Sequence, residues 1–447
     1  MSGAAPTADD LAPGVEVELD IGPVAHGGHC VARYDGRVVF VRLALPGERA
    51  LVRITQARPG SFCRGEAIEI RIADPRRVDP PCSHFGPGGC GGCDFQHAPG
   101  GLQRELKAAV VAEQLRRLAG LDVPVEVEPL PGGEFGWRSR VRWALDAEGR
   151  IGPRAVRSHR VVPISGRQPC LIATPEITAA ADVLDVPPWV HRAAPRPPRA
   201  SRTSRTGGPD GRTGRSDRRP GGAALPEVML AQAADDAVTP SWPGRGAPLS
   251  PVVTERAVGQ DFAVAADGFW QPHLAAADVL ADAVGEALTG LDLARRVDGA
   301  RPVGWDLYGG VGLFAAVLAD ALGPDAAVVC VESDERAAAL AVDNLAVHPG
   351  ARVRVGDVRE VLPDLEPDVT AVVLDPPRSG AGPAVCADLA ARGPAVIVYV
   401  ACDPAALARD TAALLAGGYR LTGLRAFDTF PQTHHVECVA RFTPAAG

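Results

Sequence analysis

Apolar and polar residues alternate in short runs through the first part of the chain, at 15–19, 30–34, 37–41, 50–55 and 65–70, with turn signals at Asp35-Gly36 and Pro46-Gly47 between them. A period of two in runs this short predicts a small all-β barrel. The pattern changes at 101–118, where Leu102, Leu106, Val110, Leu115 and Leu118 recur at the spacing of one helix face. Residues 138–145 and 161–164 return to strand-like runs and predict a second β-containing domain. In the last third strands and helices alternate. Strands are predicted at 303–307, 327–331, 353–357 and 371–374, and a helix starts near Leu313. A continuous apolar run at 395–401 then has the composition of a buried strand; Pro404 stops it and a helix follows from Ala405. This alternation predicts a doubly wound α/β domain.

Composition adds bounds. A chain of 447 residues has room for two or three domains. The net charge of −8 argues against indiscriminate nucleic-acid binding and leaves room for a local basic groove. Between 191 and 219 the residues are mostly Pro, Gly, Ser, Thr and Arg, with nine Arg against two Asp. Such a segment cannot bury enough apolar surface to fold, and reads as a solvated insertion, with an RNA-attracting arm as the alternative. The start of the chain has neither a basic nor an apolar leader-like region, and no apolar run reaches the ~18 residues of a membrane span. A cytoplasmic protein with no membrane partner is the expectation, and a monomer.

The candidate chemistry lies in three places. Cys82, Cys90 and Cys93 form a Cys-x7-Cys-x2-Cys run among glycines that lets three thiolates converge, and Cys170 is the candidate fourth ligand. Four thiolates suit a structural zinc or an iron-sulfur cluster, and spacing alone does not choose between them. Cys402 stands at the tip between a strand and a helix, where open α/β sheets place their ligands. Taken alone it would more often be an inert buried thiol. The third place is a set of turns after successive strands: Tyr308-Gly309-Gly310-Val311-Gly312 after the first, Glu332 after the second, Asp357 after the third and Asp375-Pro376-Pro377-Arg378 after the fourth. Glycines permit close backbone approach to a ligand, and a carboxylate after the second strand suits two ribose hydroxyls. The combination resembles the class I S-adenosylmethionine-dependent methyltransferases.

With Cys402 inside Tyr-Val-Ala-Cys-Asp-Pro, Phe269-Trp270-Gln271, Asp306-Leu307-Tyr308 and Phe430-Pro431-Gln432-Thr433-His434-His435-Val436-Glu437, the chain resembles the RNA uracil-C5 methyltransferases. Gly27-Gly28-His29-Cys30-Val31-Ala32-Arg33 and Val39-Phe40-Val41 resemble the TRAM domain, an RNA-binding barrel. The resemblance implies a TRAM-like barrel at 12–73, a central α+β iron-sulfur domain at 74–260 with an unfolded insertion near 190–222, and a Rossmann-like methyltransferase domain at 261–447. It implies S-adenosylmethionine bound by Gln271, Tyr308, Gly310, Gly312, Glu332, Asp357 and Asp375. It also implies a 4Fe-4S cluster on Cys82, Cys90, Cys93 and Cys170, and ribosomal or transfer RNA as substrate. The chemistry such an enzyme needs can be stated independently. Uracil C5 is too weak a nucleophile to attack a methyl sulfonium unaided, so a thiolate, Cys402, adds first to C6. A general base, Glu437, later removes the C5 proton.

Two departures stand out: the family commonly has Asn where this chain has Asp403, and a polar residue is frequent at the position of Leu313. Amino methylation of adenine or of a protein side chain is one alternative. Such enzymes generally carry an aromatic residue where Arg378 stands, and need no nucleophilic Cys. A non-catalytic iron-sulfur RNA-binding protein is another, and RNA cytosine-C5 methylation a third.

Overall fold

The computed structural model describes residues 7, 10–58, 61–188, 190, 225–244, 247–291, 293 and 301–445. The Arg-rich insertion expected near 190–222 lies outside the described residues apart from Val190. The predicted barrel is a curled six-stranded sheet of β1 (Glu16–Asp20), β2 (Val24–Ala25), β3 (His29–Tyr34), β4 (Arg37–Arg42), β5 (Arg49–Ala57) and β6 (Cys63–Ile72), in the order β1-β5-β6-β4-β3-β2. Alternation turns Val17, Leu19, Val39, Val41, Val52 and Ile54 into its core. Asp35 and Gly36 both take positive φ, +46° and +81°, the two-residue turn whose twist suits a hairpin.

The helix predicted at 101–118 runs over Gly100–Gln114 and continues as one wide turn, Leu115–Ala119, that Gly120 ends at φ +68°. Leu102, Leu106 and Leu115 are buried as the periodicity requires, and so are Gln103 and Lys107. These two polar side chains have partners more than 300 residues away: Lys107 Nζ lies 2.5 Å from Asp428 Oδ1, and Gln103 exchanges hydrogen bonds with Gln432 at 2.8 and 3.0 Å. β7 (Val127–Pro129) follows and leaves the central region to join the C-terminal sheet.

The central region consists of β8 (Arg140–Leu145), β9 (Ile151–Gly152), β10 (Glu227–Gln232) and β11 (Val238–Ser241), in the order β11-β10-β8-β9. The hairpin β12 (Val252–Ala257) and β13 (Gln260–Ala265) stands beside them. Residues 161–164, expected as a strand, make only a single bridge, Arg154 to Val161. Val162 and Ile164 still donate to Pro153 O and Ile151 O at 2.8 and 2.9 Å, but Pro153 has no N–H to return the bond, so no full ladder forms.

The last third is an eight-stranded sheet in the order β16-β15-β14-β17-β18-β20-β19-β7. Its strands are β14 (Val303–Leu307), β15 (Ala327–Glu332), β16 (Ala351–Val355), β17 (Ala371–Leu374), β18 (Val396–Ala401), β19 (Tyr419–Asp428) and β20 (Glu437–Pro444). β14 to β18 are parallel; β20 enters antiparallel between β18 and β19. Every residue of β18 is buried. Val396, Val398 and Val400 pack with helices Ala276–Leu288 and Leu313–Leu322. Ile397, Tyr399 and Ala401 pack on the other face with helices Pro383–Arg392 and Pro404–Ala416. Two covered faces explain why the run reads as unbroken apolar sequence instead of alternating.

Candidate active site

β18 delivers Cys402 to the carboxyl edge of the sheet, and Asp403 then starts the next helix by accepting the Ala406 N–H at 2.8 Å. The β18–β20 register pairs Ala401 with Cys438, so the next residues outward, Cys402 and Glu437, face each other across two neighbouring strands. Sequence spacing alone cannot show this, because 35 residues separate them. Burial, then the Glu437 and Asp375 carboxylates, push the Cys402 thiol up to about 12, while Arg378 opposes them. Glu437 is buried, and its Oε2 has no hydrogen-bond partner among the described residues. Burial, then Asp375, hold its carboxyl well above the usual range, again against Arg378. The Cys402 thiol is therefore protonated in the free protein near pH 7, the Glu437 carboxyl is shifted toward its neutral form, and Arg378 is the cation that favours the charged form of each.

The loop that carries Arg378 is braced from below. Tyr399 O–H donates to Asp410 Oδ2 at 2.6 Å and accepts the Ala381 N–H at 3.2 Å, and the Gly382 N–H donates to the same Asp410 oxygen at 3.1 Å. Arg378 Nη2 lies 3.2 Å from His435 Nε2. Burial, then His434, pull His435 down to about 3, so it is a neutral ring that accepts from the guanidinium. His434 donates through Nδ1 to Asp94 Oδ2 at 2.6 Å, and its ring centroid lies 4.1 Å from that of His435. The Asp94 and Phe95 amides both donate to Gln432 O, at 2.8 and 3.0 Å. The segment leading to Glu437 is thus shaped by the loop that carries Cys93.

The turns after β14 to β17 share one edge. Tyr308, Gly310 and Gly312 have positive φ, +65°, +55° and +96°. A Cβ at Gly309 would lie 2.4 Å from Cys330 Sγ and 2.6 Å from Asp306 Oδ2, so only glycine fits there. Glu332 accepts the Gly310 N–H at 2.9 Å and the Asp334 N–H at 2.6 Å, which fixes its carboxylate at the turn. Asp357 caps its short helix through the Arg359 N–H at 2.9 Å. Gln271 is buried, whereas Phe269 two residues earlier is exposed. Asp306, which the sequence reading gave no role of its own, is fully buried, and neither of its oxygens has a hydrogen-bond partner among the described residues. Burial, then Asp375, push it up to about 8; the Ala315 N–H draws it down without reaching hydrogen-bonding geometry. Burial alone holds Asp375 at about 7. An orphaned buried carboxylate under a glycine turn, with Glu332 beside it, fits a ligand that brings both hydroxyls and positive charge, as S-adenosylmethionine does.

Cys82, Cys90, Cys93 and Cys170 all line one cavity of ≈ 540 Å³, with Arg42 and Arg138. Burial raises the Cys90 thiol to about 11, and Cys170 and Cys82 add to the rise. Backbone amides face the sulfurs: the Gly92 N–H donates to Cys90 Sγ at 3.3 Å, and the Ala173 and Ile172 amides favour the Cys170 thiolate against its burial. Among the described residues no three His, Cys, Asp or Glu side chains are drawn together closely enough to hold a metal ion. Among the described residues no helix is long and apolar enough to cross a membrane.

A parallel sheet with a glycine turn after β14, acids after β15, β16 and β17, and covering helices on both faces defines a class I S-adenosylmethionine-dependent methyltransferase. Residues 11–68 match the TRAM domain, and residues 362–443 match the tRNA (Uracil-5-)-methyltransferase family. An uncharacterized RNA methyltransferase of Streptomyces avermitilis is 45% identical over 97% of this chain and 99% of its own length. The 23S rRNA (uracil(1939)-C(5))-methyltransferase RlmD of Pseudomonas fluorescens is 32% identical over 98% of this chain and 95% of its own. The chain therefore belongs to the RNA uracil-C5 methyltransferase family. The fold agrees: the tRNA (uracil-54, C5)-methyltransferase of Pyrococcus abyssi, crystallised with S-adenosyl-L-homocysteine, superposes with a TM-score of 0.64 at 22% identity, over 96% of this chain and 100% of that one.

Proposed function

We propose that this enzyme methylates C5 of a uridine in ribosomal or transfer RNA through a covalent adduct, with Cys402 as nucleophile and Glu437 as base. The pairing of these two side chains across β18 and β20, with the Arg378 charge acting on both, carries the reading. Cys402 gives its thiol proton to solvent and adds as thiolate to uracil C6, and the C5–C6 π electrons move toward the C4 carbonyl oxygen. C5, now nucleophilic, accepts the methyl group. Glu437 then takes the C5 proton, the C5–C6 double bond re-forms and Cys402 leaves as thiolate. S-adenosylmethionine supplies the electrophilic methyl group. Gln271, Tyr308, Gly310, Gly312, Glu332, Asp357 and Asp375 hold that cofactor in this reading, and Asp306 joins them. Arg378 favours the charged forms in which both side chains react, Cys402 as thiolate and Glu437 as carboxylate.

The four cysteines take a 4Fe-4S cluster in the same reading. A single zinc would draw its thiolates to about 3.8 Å from one another, whereas these four line a cavity far larger than one ion. Amides directed at the sulfurs suit thiolate ligands. The cluster's part is structural: the loop it fixes shapes the segment before Glu437, and the mechanism has no electron-transfer step. The domain limits 12–73, 74–260 and 261–447 are proposed with the qualification that residues 100–129, and Ala231, Val253 and Ala257 of the central region, pack with the third unit.

The two reacting residues fail differently, and this provides the test. Glu437→Gln cannot take the proton, so incubation with substrate RNA and methyl-labelled cofactor is expected to give a denaturation-stable protein–RNA band that carries label. Cys402→Ala gives no band and no methylation. Turnover by Glu437→Gln at the parental rate, or methylation by Cys402→Ala, overturns the assignment.

A further inference from the structure

The loop between β2 and β3 of the barrel reaches the nucleophile. His26, Gly27 and Gly28 line a cavity of ≈ 120 Å³ together with Cys402 and Arg378. Two contacts bind the loop there. His26 Nε2 lies 3.1 Å from Asp403 Oδ2, and Gly28, at φ +74°, sits so close to the catalytic segment that a Cβ would come within 2.5 Å of His434 Cβ. Asp403 is the residue after the nucleophile, where the family commonly has Asn. The structure gives that departure a use. One oxygen, Oδ1, caps the helix through Ala406, and the other accepts from His26. An Asn could keep the cap but would offer His26 an NH2 group.

A pocket that takes a small ligand usually has about 300–1,000 Å³. At ≈ 120 Å³ the cavity over Cys402 does not admit a nucleotide with its sugar and phosphate, so one wall has to withdraw before the base reaches the sulfur. The barrel loop is the wall attached by a half-exposed ion pair and a glycine contact; the others are the sheet edge, the His434–His435 segment, Phe95 and the helix of buried Lys107. We propose that the β2–β3 loop is a moving wall of the base pocket and that His26, by binding Asp403, is a positioning residue that closes it over Cys402. The barrel then completes the active site as well as contacting RNA. This rests on the reading of Cys402 as nucleophile.

Alkylation of the full-length protein by iodoacetamide under anaerobic conditions, mapped cysteine by cysteine, tests it. A half-exposed ion pair shifts an opening equilibrium by about two- to five-fold. His26→Ala is expected to speed Cys402 modification by about that factor, while buried Cys386 and Cys438 stay protected. His26→Gln, which keeps a donor, restores slow modification. Methylation by His26→Ala falls about two- to five-fold in kcat with cofactor affinity unchanged. Adding Asp403→Asn to His26→Ala makes it no worse, since both remove one contact. Gly28→Ala opens the same wall by steric contact with His434 and is a second route to faster Cys402 labelling. Equal Cys402 labelling in parent and both loop variants, or a general rise at every cysteine, overturns the proposal. If Cys402→Ala methylates RNA, the nucleophile assignment fails on its own, and the labelling result still reports whether the wall moves.

Discussion

The buried pair of Lys107 and Asp428 gives the most quantitative test of how the two ends of the chain are joined. Lys107 is the only lysine in the sequence, its side chain is 1% exposed against 2% for Asp428, and Nζ also donates to Phe430 O at 3.1 Å. Lys107→Met keeps the length of the side chain and removes the charge, which leaves Asp428 buried without a counter-ion. Breaking one side of a buried pair costs about 3–5 kcal/mol. For a folding unit of 150–250 residues each kcal/mol lowers Tm by about 2–4 °C, so the expected fall is about 6–20 °C. Because a multidomain chain need not melt in one step, the assay is differential scanning calorimetry combined with hydrogen exchange of the β7 and β19 amides. Adding Asp428→Leu to Lys107→Met is expected to recover most of the loss, since a well-packed apolar pair is often as stable as the ion pair it replaces. A shift under 2 °C for Lys107→Met, or no recovery in the double variant, would refute the view that an unpaired buried charge dominates.

Three further outcomes follow from the site. Asp306 and Asp375, raised to about 8 and about 7, are protonated in the free protein at pH 6. A carboxyl raised on folding contributes stability that is lost as pH climbs from its ordinary value through the raised one, so the free protein should melt at lower temperature between about pH 4 and 8. Cofactor binding at pH 6.5 should release protons, read by calorimetry in two buffers of different ionisation heat; no difference between buffers would count against the ionised-acid site. Asp306→Asn should raise the melting temperature of the free protein and weaken cofactor binding at least about tenfold, the cost of one charged contact, and unchanged affinity in a titration would remove Asp306 from the site. Protein purified without oxygen should be brown with about four iron atoms per chain and lose colour on Cys90→Ser, whereas zinc without iron would exclude the cluster.

Local signals located most of the catalytic sheet. Val303–Leu307 and Ala371–Leu374 match their predicted strands, and 395–401 differs from β18 by one residue, because strands covered on both faces read as mainly apolar runs, with Asp306 the exception in β14. β12 and β13 were not anticipated, although the burial of β12 alternates at every residue, and helix Ala276–Leu288 was missed beside them. β2 is too short for periodicity to register. Of the candidate site, Cys402, Glu437 and the acids after β15, β16 and β17 were legible as motifs, but their mutual arrangement was not. The antiparallel insertion of β20 brings Glu437 to Cys402, and only the sheet order shows it. Asp94, Lys107 and His26 went unread for a related reason: each acts through a partner more than 300 residues away, and no local pattern encodes such a partner.

The outer strand of the catalytic sheet is borrowed from far upstream. β7 lies parallel to β19, where Arg425 binds Glu128 across a separation of 297 residues. The consequence concerns inheritance. A recombination event that exchanged only the segment after 301 between two such enzymes would separate β19 from its neighbour and uncover the strand edge that β7 protects. The exchangeable unit is therefore discontinuous, residues 100–129 together with the C-terminal sheet. The four-stranded central sheet contributes no strand to that shared edge.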